Sequence, residues 1–244
     1  MYTQTYKART TGPIFYSSIE GELVKTDKFL SSTALTYAIG YSLEDLPKYY
    51  VTTGERAENP DYTVFESVPY FISDMIPIEV YTDERTFRSV AYTGECNITT
   101  ESRDVAERMD TKSKYAFPKI LNNSYSGWHR LRNFSGVGVD STYKFTVWSE
   151  EKLPETLRFE MGINRTGYII AEQIQEPESN QKVDLNEYIL KEVYDISNEE
   201  ISDIMEHGGK YYPGNDPRIS RYAGININRA TEIVKHNGLH KSEN

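Results

Sequence analysis

Two residue classes alternate from the start of the chain. Tyr2, Gln4, Tyr6, Ala8 and Thr10 fall on one side of a two-residue repeat, and Thr3, Thr5, Lys7 and Arg9 on the other, which predicts an opening strand. Gly12-Pro13 closes it. Ser31 and Ser32 are suited to cap a short, buried helix with Ala34, Leu35, Ala38 and Ile39 on one face. Pro60, Pro69 and Pro77 punctuate the next stretch of chain. The run 70–81 is rich in β-branched and aromatic residues, so it predicts strands broken by turns. Residues 101–109 read as a brief polar helix. From 141 to 149, Thr142, Lys144, Thr146 and Trp148 alternate with Tyr143, Phe145 and Val147, the mark of a strand with two unlike faces. Residues 156–163 and 166–174 predict a hairpin around Asn164-Arg165-Thr166-Gly167. The pattern then changes. Residues 184–193 and 197–206 predict helices, the second opened by the capping box Ser197-x-x-Glu200 and closed by Gly208-Gly209. Asn215-Asp216-Pro217 turns the chain, Ile225 and Ile227 suggest a last strand, and the tail from His236 is expected to fray. Strands early and helices late define an α+β protein.

The 244 residues are 38% hydrophobic and 26% charged, with a mean hydropathy of -0.63, which describes a globular chain long enough for a real core. No apolar run approaches the roughly 18 residues of a membrane span, and Met1-Tyr2-Thr3-Gln4-Thr5 has no export character, so the cytoplasm is the expected compartment. Cys96 is the only cysteine, which excludes an internal disulfide and a thiolate zinc site. Phosphate-loop, His-Glu-x-x-His, nucleophile-elbow and dinucleotide signatures are missing. His236 and His240 stand four apart near the end without a carboxylate or cysteine at useful spacing, so neither a metal nor a cofactor is expected.

The net charge of -10 argues against unfocused adhesion to polyanions. Its distribution says more. From 112 to 149, Lys112, Lys114, Lys119, Arg130, Arg132 and Lys144 face the single acid Asp140, a local balance of +5. From 171 to 206, eleven acids face Lys182 and Lys191, a balance of -9. The basic stretch interleaves its cations with Tyr115, Phe117, Tyr125, Trp128, Phe134, Tyr143, Phe145 and Trp148, and Arg85, Phe87 and Arg88 repeat the theme. Single-stranded nucleic acid calls for this combination, because cations neutralise phosphates while rings and guanidinium groups stack on splayed bases. The plainer alternative is aromatic core beneath a solvated basic face. His129 lies inside Ser126-Gly127-Trp128-His129-Arg130-Leu131-Arg132, where an imidazole could stack, hydrogen-bond, or act as general base on a ribose hydroxyl.

Gly12-Pro13-Ile14-Phe15-Tyr16-Ser17-Ser18, then Thr26-Asp27-Lys28-Phe29-Leu30, then Thr33-Ala34-Leu35-Thr36-Tyr37-Ala38-Ile39-Gly40 together resemble Csc-one, the Cas-five family subunit of type I-D CRISPR Cascade. Arg85-Thr86-Phe87-Arg88-Ser89, the strand from Tyr143 to Trp148, and Phe159-Glu160-Met161-Gly162-Ile163-Asn164-Arg165 fit more loosely, and the likeness covers most of residues 1–175. The resemblance implies a modified ferredoxin-like (RAMP) core with a protruding β-hairpin thumb over 1–175, and the residue pattern itself leads to the expectation of a helical C-terminal portion over 176–244. It implies a non-catalytic role, gripping the 5′ handle of the CRISPR RNA beside a Cas-seven-like backbone subunit and a Cas-ten-like large subunit. The residues expected at the RNA are Arg85, Phe87, Arg88, Tyr125, Trp128, His129, Arg130, Arg132, Lys144 and Arg165. Two other functions compete: a metal-independent endoribonuclease acting on repeat RNA, and a protein-interaction module that uses the acidic stretch.

Overall fold

The alternation at the start of the chain becomes β1 (Tyr2–Thr10), flanked on both sides by antiparallel strands. The computed structural model describes residues 1–15, 23–25, 28–46, 65, 67–90, 129–162, 167–174, 180–206, 209–213 and 220–237. β3 (Tyr70–Ile72), β4 (Ile76–Glu79), β7 (Thr142–Ser149), β8 (Thr156–Met161) and β9 (Gly167–Gln173) complete a six-stranded sheet. Its order is β3-β7-β1-β9-β8, with β4 also paired to β7. The strand expected at 141–149, those within 70–81 and the two arms of the hairpin are therefore present, while the turn 163–166 lies outside the described residues.

β1, β8 and β9 bury alternate side chains along most of their length, whereas β3 is buried throughout. Tyr6, Ala8, Tyr143, Phe145, Leu157, Phe159, Ile169 and Ala171 fill one face. Tyr6 and Phe145 are register partners and stack at 5.4 Å between ring centres, and Phe145 meets Phe159 edge-on at 6.4 Å. The Tyr6 hydroxyl donates to the Pro154 carbonyl at 2.9 Å, and burial pushes its pKa up to about 12. Helix α1 (Ser32–Ser42) lies against β8 and β3 and adds Leu35 and Ile39 to the core, each burial favouring folding by about 1.5–3 kcal/mol. Its start is capped as the serines suggest: Ser31 Oγ accepts from Thr33 N at 3.3 Å. A second cap comes from far along the chain and has no local sequence signature, since Asp74 Oδ1 accepts from Ser32 N at 2.6 Å.

The region after 180 departs from the expected helical portion. A three-stranded sheet of order β10-β12-β11 is built from β10 (Lys182–Asn186), β11 (Lys210–Tyr212) and β12 (Arg221–Asn226). The helix predicted over 184–193 is replaced by β10 and a single π turn at Ile189–Val193. The reason is burial on both faces: Val183 and Leu185 point to apolar partners, while Asp184 and Asn186 are buried polar side chains with internal bonds. Helix α2 (Asn198–Glu206) keeps its capping box, with Ser197 N donating to Glu200 Oε2 at 3.0 Å and Glu200 N donating to Ser197 Oγ at 3.3 Å. Ile227 opens helix α3 (Ile227–Asn237) instead of extending a strand, and the helix carries His236 in place of a frayed start to the tail. The helix expected at 101–109, Gly208 and the turn at 215–217 lie outside the described residues.

These C-terminal elements sit on one end of the large sheet. Trp148 Nε1 donates to Thr231 Oγ1 at 2.8 Å, and Gln181 Nε2 donates to Thr5 Oγ1 at 2.9 Å and Thr146 Oγ1 at 3.0 Å. Residues from both ends of the chain share one hydrophobic core.

Candidate nucleic-acid interface

The two segments in which cations and rings interleave are brought together as a ribbon. β5 (Thr82–Val90) pairs antiparallel with β6 (His129–Val137) over nine register partners, and β2 (Leu23–Lys25) joins the far edge of β6 in parallel. The register sets Arg85 opposite Phe134, Phe87 opposite Arg132, and Ser89 opposite Arg130. Because strand positions alternate between faces, Arg85, Phe87, Arg130, Arg132 and Phe134 hold positions on one face. Arg88 and His129 hold positions on the other.

Close packing fixes the ribbon's root. Ile14 bridges to Val137 through two backbone hydrogen bonds of 2.8 and 2.9 Å. Phe15 follows and lies over Gly136, where an added Cβ would stand 2.4 Å from its ring. Only glycine fits there. The Arg85 guanidinium lies 5.7 Å from the Phe15 ring centre and is forked onto Asp83, Nε at 3.1 Å and Nη2 at 2.8 Å. Asp83 raises the Arg85 pKa further, so the group is cationic at every relevant pH. Its side chain is half exposed. A phosphate would compete with Asp83 for the same donors.

Of the ten residues expected at RNA, Arg85, Phe87, Arg88, His129, Arg130 and Arg132 fall in this ribbon. Lys144 does not. It stands in the middle of β7, directly opposite Lys7 of β1. Tyr125, Trp128 and Arg165 lie outside the described residues. Cations missed by the sequence reading are Lys7, Arg9 and Arg158, all exposed on the sheet. Their signal was present: Lys7 and Arg9 occupy the polar side of the opening alternation, but no ring adjoins them on that side.

Phe145 and Trp148, two rings of the basic stretch, are buried core. The acidic stretch is likewise divided. Asp184 is internal, accepting from Gly224 N at 2.9 Å with Arg221 Nε at 3.8 Å, and burial raises its pKa despite both contacts. Glu187 accepts from Lys191 at 2.6 Å, Tyr211 at 2.8 Å and Tyr222 at 3.1 Å. Its pKa is lowered: burial opposes the charge, but the donors outweigh it. Glu199 and Glu206 are exposed on α2. Among the described residues no cluster of three His, Cys, Asp or Glu side chains could hold a metal ion, and no helix is long and apolar enough to cross a membrane.

The fold and site thus define a class: an α+β protein whose antiparallel sheet carries a separate ribbon set with arginine and phenylalanine positions. The chain belongs to the type I-D CRISPR-associated protein Cas5/Csc1 family, whose model matches residues 1–206, and is accordingly a subunit type of CRISPR effectors. Two cryo-EM structures are distantly similar. A chain of the type III-B Cmr-beta complex in its apo state is 9% identical, with 72% of this chain and 98% of that one covered and a TM-score of 0.37. A chain of Cmr-beta bound to cognate target RNA and AMPPnP is 8% identical, with 95% and 88% covered and a TM-score of 0.40. No curated protein matches the chain.

Proposed function

We propose that the chain is a non-catalytic structural subunit of a cytoplasmic type I-D CRISPR Cascade complex. It grips the 5′ handle of the CRISPR RNA and caps the backbone filament, with a Cas-seven-like and a Cas-ten-like subunit as neighbours. The six-stranded sheet with α1 is the modified ferredoxin-like (RAMP) core of this reading, and the β5–β6 ribbon is its thumb. The observation that carries it is the register of β5 against β6, which gathers Arg85, Phe87, Arg130, Arg132 and Phe134 onto one face from two segments far apart in the chain. Cations alternating with flat rings suit an unpaired strand, because phosphates and bases are met in turn. Family membership supports the same direction.

Changing Arg130 and Arg132 together to Ala tests it. Handle RNA should bind more weakly, and the log-log salt slope should fall by about 1.4, since each phosphate contact on single strands contributes about 0.7. An unchanged slope removes both residues from the interface.

A further inference from the structure

The outer face of the six-stranded sheet carries a second arrangement that the ribbon does not explain. Register rows run across four strands: one sets Thr142, Arg9, Ile170 and Arg158 side by side, and the next sets Lys144, Lys7, Glu172 and Thr156. Neighbouring strands stand about 4.8 Å apart, so each row spans about 14 Å. Among the described residues, the C-terminal elements bond to the end of this face near Thr5, Thr146 and Trp148. Beyond them Lys7, Arg9, Arg158 and Tyr168 are exposed and Lys144 is half-buried.

Lys7 and Lys144 are directly opposed. Like charges facing each other across antiparallel strands destabilise the pair, so their juxtaposition asks for an anion between them. Neither forms an ion pair with a described residue, although Glu172 is the register partner of Lys7 on its other flank. Arg9 has only a loose, exposed contact with Asp140 at 3.6 Å. Tyr168 shares the face and is 38% exposed, a flat ring beside the cations.

We propose that this open half of the sheet is a second platform for single-stranded RNA, on which Lys7 and Lys144 share a phosphate and Tyr168 stacks a base. It goes beyond the ribbon reading and does not depend on it. Glu79, Asp140, Glu160 and Glu172 share this face with its four cations and disfavour an uninterrupted acidic polypeptide. A nucleotide chain suits them better, because its anionic phosphates alternate with neutral bases. Open sheet faces that present aromatic rings are a recurrent mode of single-strand recognition.

The test uses the full chain and a fluorescein-labelled oligouridylate RNA, followed by anisotropy over a salt series. Lys7→Gln with Lys144→Gln should weaken binding about tenfold and lower the salt slope by about 0.7 for the shared phosphate. Tyr168→Ala should weaken binding about tenfold with the slope unchanged, because stacking releases no counterions. The thermal midpoint of the double lysine variant should hold or rise, since a repulsive pair has been removed, whereas a structural role for either lysine would lower it. If these variants bind like the parent while Arg130→Ala with Arg132→Ala loses affinity, the platform is overturned and the ribbon reading stands. The reverse pattern supports the platform and removes the ribbon. Displacement of the RNA by polyglutamate as readily as by unlabelled RNA would make the face a site for acidic protein, and would also overturn the proposal.

Discussion

Replacing Asp74 by Asn should change how stability depends on pH. The Asp74 carboxylate is buried, 3% exposed, at the start of α1. Its Oδ1 accepts from Ser32 N at 2.6 Å, and its own backbone N–H donates to the Asp184 carbonyl at 2.9 Å, which ties the large sheet to β10. Burial pushes its pKa up to about 7; the Ser32 donors and Arg221 pull the other way and Asp184 pushes further up, and burial wins. In the unfolded chain the same group titrates near 3.9. Between about pH 4 and 7 the folded state therefore holds a proton that the unfolded state has released. Stability from this group is full below pH 4 and is lost as pH rises through 7. A shift of about three units corresponds to a ceiling of about 4 kcal/mol at 1.36 kcal/mol per unit, and relaxation around the charge should reduce this to about 1–3 kcal/mol. Asp184 is raised by burial too and acts in the same direction, while Glu187, whose pKa is lowered, acts oppositely by losing its contribution as pH falls. The amide introduced by Asp74→Asn is neutral throughout and keeps the oxygen that accepts from Ser32. Urea unfolding followed by circular dichroism should show Asp74→Asn gaining on the parent as pH rises, with a larger margin at pH 8 than at pH 5. Parallel pH profiles for the two proteins, or a variant less stable at pH 8, would refute the reasoning.

Further expected outcomes rest on other contacts. Gly136→Ala should lower stability by about 1–3 kcal/mol in thermal unfolding, because the new methyl meets the Ile14 carbonyl oxygen at 2.5 Å as well as the Phe15 ring, and a backbone atom cannot swing aside. Ser197→Ala should cost about 1 kcal/mol by removing the side-chain half of the capping box at α2, read as a shift in the urea midpoint. Trp148→Phe should cost about 1–3 kcal/mol, since Thr231 Oγ1 loses its 2.8 Å donor and the smaller ring leaves a void. Labelled repeat RNA incubated with micromolar protein in EDTA should stay intact on a denaturing gel; defined cleavage products would replace the structural reading with an endoribonuclease.

Much of the large sheet was legible because its strands have unlike faces. The two alternations at 2–10 and 142–149 mark partners that pair along nearly their whole length, and the stacked Tyr6 and Phe145 belong to the side that reads as apolar. Helix α1 and the capping box were equally plain, since short-range serine chemistry specifies them. Residues 182–186 misled for a physical reason: a strand buried on both sides with Asp184 and Asn186 bonded inside has no polar face, so its period is hidden. Helix α3 does carry its spacing, with Ile227, Ala230, Ile233 and Val234 buried, but Ile225 and Ile227 taken alone look like an alternating strand. At the candidate interface, residue type and local clustering pointed to the ribbon, where arginines and rings are adjacent in the chain. The lysine pair was invisible, because Lys7 and Lys144 meet only through a register that joins positions far apart in sequence.

A role as the guide-gripping subunit requires the β5–β6 ribbon to hold the handle of the guide. Photocrosslinking in the assembled effector reads this contact without intermediaries, with 4-thiouridine placed in the 5′ handle and the joined peptides identified by mass spectrometry. Crosslinks are expected within residues 82–90 and 129–137 of this subunit. Handle crosslinks confined to other subunits would show that the ribbon does not hold the guide.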